Sequence, residues 1–101
     1  MGTSDLAERA LYQGLIKLAA GYVHAARGNP IGVALNLRGA RGHLEISQQL
    51  DPELASGAGI DLPALLLRID ARLAAVATIA DALAATREPL IDLLPEAPRL
   101  R

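Results

Sequence analysis

Two helical stretches meet at Arg27-Gly28-Asn29-Pro30, and each carries two glycines seven residues apart: Gly14 and Gly21 before the junction, Gly32 and Gly39 after it. Glycine inside a helix costs about 1 kcal/mol relative to alanine, so four of them on matched faces predict a compensating gain in packing. Seven residues are close to two helical turns, which puts each pair on one side of its helix. The spacing therefore predicts two backbones in close contact. It specifies an architecture and no chemistry.

The 101 residues fit one domain, 1–101, with room for a modest core. Alanine and leucine dominate, Tyr12 and Tyr22 are the only aromatics, and β-branched residues are scattered, so the predicted fold is all-α. Asp5 followed by Glu8 has capping-box spacing and starts a first helix over about 5–26, which Gly28 stops. Asn29 caps a second helix over 30–50, with Pro30 at its first position, where the missing N–H is no loss. Asp51-Pro52 through Gly57-Ala58-Gly59 reads as a loop, and Asp61 caps a third helix over 62–85. Pro89, Pro95 and Pro98 then break up a tail, 87–101. The expectation is a three-helix bundle with an N-terminal helical hairpin and an irregular C-terminal tail.

At 100° per residue the first helix gathers Leu11, Gly14, Leu15, Leu18, Gly21, Tyr22 and Ala25 on one broad side, with Tyr12, Ile16, Ala19 and Val23 beside it. The second is apolar on two sides, Gly32, Leu35, Gly39, Gly42 and Ile46 on one and Val33, Leu37, Ala40 and Leu44 on the other, and calls for neighbours on both. Gly14, Leu18, Gly21, Gly32, Leu35 and Gly39 are the expected helix-packing residues. In the third, Leu62, Leu66, Ile69, Leu73, Val76, Ala80 and Leu83 form a bundle seam. Apolar surface beyond what three helices cover, with Leu90, Ile91, Leu93 and Leu94 in the tail, predicts a homo-oligomer, a dimer. In the alternative, the outer helices flank the middle one and the tail folds over the remainder.

The run Tyr12-Gln13-Gly14-Leu15-Ile16-Lys17-Leu18-Ala19-Ala20, followed by Tyr22, His24, Arg27-Gly28-Asn29, Gly32, Leu37 and Ala40, resembles the domain-of-unknown-function family numbered 309 over roughly the first half of the chain. The resemblance implies a small helical bundle found in bacteria and archaea, with no established activity. Members usually begin with a further helix bearing a His-Glu pair, another glutamate and a tryptophan. This sequence has no tryptophan, so a site built on that helix is expected to be absent. Lys17 stands where the family often has glutamine, and Val33 where it often has alanine.

Gln13, Lys17, His24 and Arg27 form a polar strip along the first helix and are the candidate ligand-binding residues. The plain reading is a solvated face, with His24 and Arg27 at the helix's negative end. The sharper one is a site for an anionic small molecule or a partner's carboxylate, held by Lys17 and Arg27. Catalytic residues are not assigned: Ser47, Ser56 and Thr78 have no base arranged beside them. No metal or cofactor is predicted, because His24 and His43 lie on different helices, without a carboxylate three or four residues on. Gly28-Asn29-Pro30-Ile31-Gly32 lacks the strand before and lysine after that a phosphate loop needs. A net charge of −1 and no aromatic free to stack argue against nucleic acid. There are no cysteines, no secretory signal is read at the start, and no apolar run approaches the roughly 20 residues that span a bilayer. The sequence thus predicts a cytoplasmic, self-associating interaction or structural module, with a small-ligand binder or hydrolase-like enzyme on the polar strip as the competing class.

Overall fold

Short side chains that carry an acceptor oxygen start three of the helices, with proline one residue on after Asn29 and Asp51 and two residues on after Asp61. Asn29 Oδ1 accepts from Gly32 N at 3.1 Å, Asp51 Oδ1 from Glu53 N at 3.2 Å and Asp61 Oδ1 from Ala64 N at 3.1 Å. Each occupies a backbone donor that the first turn leaves free. The computed structural model describes residues 2–93, and these form α1 (Thr3–Ala26), α2 (Pro30–Leu50), α3 (Pro52–Gly57) and α4 (Leu62–Leu93). The fold is all-α.

Both glycines with positive φ close a helix. Gly28, at φ 66°, lets Asn29 N reach His24 O at 2.9 Å and its own N reach Ala25 O at 3.0 Å. Gly59, at φ 82°, repeats the pattern, with Ile60 N on Ala55 O at 2.8 Å and Gly59 N on Ser56 O at 3.0 Å. These are Schellman closures, in which a left-handed residue brings the following N–H groups back onto the last carbonyls. They turn the chain sharply after α1 and again after α3.

Several boundaries differ from expectation. α1 begins at Thr3, with Gly2 as its cap, and Asp5 serves as the third-position acceptor of Gly2 N at 3.3 Å. The loop expected after Asp51 contains α3, because Asp51-Pro52 starts a helix as Asn29-Pro30 does. α4 runs through Pro89 to Leu93, so the irregular tail expected from residue 87 is helical to that point. A proline inside a helix forfeits one backbone bond and does not stop this one. Pro95, Pro98 and Leu94 lie outside the described residues.

α2 is the middle of the structure, with α1 and α4 packed on it and scarcely on each other. Leu11, Val33, Leu37, Ala40, Leu44, Ala55, Leu62 and Ile69 make the core, and Leu15, Leu18, Leu66, Leu73 and Val76 pack against it. The glycines set how closely α1 and α2 approach. A Cβ on Gly14 would stand 2.5 Å from Leu44 Cδ2 and 3.2 Å from the Leu44 backbone nitrogen, and one on Gly21 would stand 3.3 Å from Leu37 Cδ2. In the other direction, a Cβ on Gly32 would meet the His24 ring at 2.4 Å, and one on Gly39 would meet Lys17 Cδ at 3.3 Å. Each helix thus receives two side chains of the other into gaps where it has none. The four pairs are centred on the Gly28-Asn29 turn, so this packing sets the register of an antiparallel hairpin.

One side of α2 departs from the two-sided expectation. Leu35 is 61% exposed, Ile46 is 48% exposed, and nothing lies near the missing Cβ of Gly42. Leu35, expected among the packing residues, lies outside the core formed by the described residues. The α2–α4 contact is fastened at its edge by Arg41, whose Nε and Nη2 donate to Asp70 at 2.5 and 3.3 Å while Nη1 donates to Glu45 at 2.7 Å. Hydrogen bonds that Arg41 donates to Asp70 first, then to Glu45, hold its charge more firmly than an ordinary arginine's.

Gly14→Ala costs about 2 kcal/mol, because Leu44 is fully buried and cannot yield to a methyl group, whereas Gly39→Ala stabilises by about 0.5–1 kcal/mol, because the Lys17 stem can move and the helix gains alanine's propensity. Thermal melts should shift in opposite directions. Ser47 is fully buried, and its hydroxyl has no hydrogen-bond partner among the described residues. Ser47→Ala is therefore expected to raise stability by about 0.5–1 kcal/mol in a denaturant titration, since it removes an unsatisfied polar atom from a helix interior.

Candidate functional site

The polar strip of α1 is spread out, and α2 engages part of it. Gln13 and Arg27 are fourteen residues apart, about 21 Å along a helix. Four side chains over that length do not converge on one small molecule. Gln13 and Arg27 are exposed, and Arg27 is the C-cap residue of α1. Lys17 lays its aliphatic stem over Gly39 and keeps its head in water.

His24 is the most constrained of the four. Its half-buried ring lies over Gly32, and its Nδ1 faces Asn29 Nδ2 at 3.1 Å. Asn29 already uses Oδ1 to cap α2, which fixes its amide orientation, so Nδ2 donates and the His24 Nδ1 accepts. The Asn29 backbone N–H goes to the His24 carbonyl. His24 thus ties the end of α1 to the start of α2, a structural use that explains a histidine at this place without a ligand.

The other hydroxyl and imidazole candidates remain apart. Ser47 is sealed in the core, Ser56 Oγ donates to the Glu53 carbonyl at 3.1 Å, and Thr78 is exposed on α4. Among the described residues, no three His, Asp or Glu side chains are grouped as metal ligands would be, and no helix is long and apolar enough to cross a membrane.

A wide concavity lies elsewhere, between α1 and α4. α2 forms its floor with Val33 and Leu37, α1 supplies Leu18, Gly21 and Tyr22, and α4 supplies Leu65, Ile69, Val76 and Ile79. Its volume is about 760 Å³. The groove exists because α1 and α4 share α2 as a support, with Gly21 and Ala25 leaving the α1 wall low. Tyr22 and Ile79 are 64% and 54% exposed, large apolar surfaces for water to cover.

Charge at the groove is one-sided. Arg68 and Arg72, one helical turn apart on α4, are the charged residues that line it, and both are exposed. Neither has a carboxylate partner among the described residues, in contrast with Arg41 on the opposite edge of the α2–α4 contact. The sequence reading passed over these two arginines, although their spacing of four beside Leu65, Ile69, Val76 and Ile79 marks a cationic edge on an apolar helix face.

No curated protein and no solved structure matches the chain. The segment that supplies α1, the Gly28-Asn29 turn and the first turn of α2, residues 2–35, matches the family model described as Domain of unknown function (DUF309), the family whose pattern those residues resemble.

Proposed function

We propose that the protein is a cytoplasmic helical interaction module that self-associates as a homodimer through the outer side of α1. One observation carries this reading: Tyr12, Ile16 and Val23 are 58%, 62% and 48% exposed, and with the exposed Ala19 they recur at spacings of four, three and four. That is the spacing of a helix–helix seam, here facing water instead of the chain's own core. A second copy presenting the same stripe would bury it in a closed, two-fold contact. The competing reading, a ligand-binding or hydrolytic site on Gln13, Lys17, His24 and Arg27, is less well supported, because the strip is long and His24 and Lys17 are seated on α2.

Sedimentation equilibrium tests the proposal. Wild type is expected at twice the 10.6 kDa chain mass, and Ile16→Glu at the single-chain mass, with thermal stability of the monomer within about 0.5 kcal/mol because the site is exposed. A wild-type protein that stays monomeric at all accessible concentrations would overturn it.

A further inference from the structure

We propose that the groove between α1 and α4 is a docking site for an amphipathic helix of a partner protein, one that carries a pair of carboxylates one turn apart beside its apolar stripe. The shape argues for a helix. From Leu65 to Ile79 the α4 wall covers fifteen residues, about 21 Å, or four turns of an occupant lying alongside. α1 and α4 flank α2 without closing on each other, so an inserted helix would complete a four-helix arrangement over Val33, Leu37 and Ile69.

The charge selects which helix. Arg68 and Arg72 are the charged groups on the lining, they stand one turn apart, and no acidic side chain among the described residues engages them. Guanidinium groups beside an apolar trough favour carboxylates at the matching spacing and disfavour a basic helix. A second copy fits less well. Pairing this face with itself gathers four arginines on one seam, and offering its α1 stripe to the groove makes a head-to-tail contact that leaves the next groove open. This inference is independent of dimerisation through α1: a monomer with a working groove would sink that reading and leave this one.

Two synthetic peptides of about four helical turns provide the test, both with leucines at spacings of three and four, one with two glutamates a turn apart on one flank and the other with lysines there. Fluorescence anisotropy of the labelled peptides with the full chain should show the glutamate peptide binding about five- to tenfold more tightly, the size expected of two partly exposed ion pairs. The Arg68→Glu, Arg72→Glu double variant should reverse that order, and Ile79→Asp should weaken both peptides. All three positions are exposed, so the variants retain the fold. Equal binding of the two peptides, or an order the double variant does not reverse, would overturn the proposal. So would dodecanoate binding where the glutamate peptide does not, which would mark a site for a single acyl anion, or a dimer that Ile79→Asp dissociates, which would put a second copy in the groove.

Discussion

The approach of α1 to α2 at Gly14 is the contact on which the rest of the molecule depends. Leu44, with no exposed surface, occupies the space that a side chain at position 14 would fill, and its backbone nitrogen lies just beyond. Interiors pack at near-crystalline density, so a gap this size accepts one side chain in one register. Gly21 with Leu37 repeats the contact two turns away, and His24 and Lys17 complete it by lying over Gly32 and Gly39. The hairpin is thus keyed from both sides, by leucines entering α1 and by α1's own polar side chains covering α2.

That keying determines what is left open. With α1 drawn tightly onto one side of α2 and α4 fastened to another through Ile69, Leu62 and the Arg41–Asp70 pair, the two outer helices stand apart. The groove between them follows from that separation. The outer side of α1, where Tyr12, Ile16 and Val23 lie, is turned away from the core for the same reason. The structural contact and the candidate binding surfaces therefore have one origin.

Local chemistry was readable in the sequence, and partner choice was not. Arg27-Gly28-Asn29-Pro30 states a helix stop, a cap and a restart within four residues, and the structure builds all three there. Asp51-Pro52 carries the same start signal, yet the nearby Gly57 and Gly59 argued for a loop; one and a half turns of helix fit between the cap and the closing glycine. Pro89 is expected to break up the tail, whereas α4 continues past it. The glycine spacing announced a close approach without saying what fills each gap, because the filling side chain comes from another part of the chain. Lys17 and His24, seven residues apart like Gly32 and Gly39, held that information, but as part of a polar strip they read as a solvated face. Arg68 and Arg72 escaped notice because their meaning depends on what α1 and α4 leave between them.

A double-mutant cycle on Gly14 and Leu44, read by denaturant unfolding, tests the central contact most directly. If the leucine occupies the glycine's missing side-chain volume, Leu44→Ala opens the space a methyl group needs, and Gly14→Ala becomes neutral or stabilising in that background, with a coupling of about 1–3 kcal/mol. Additive effects of the two substitutions would contradict the account, because they would show that the two positions do not share the space.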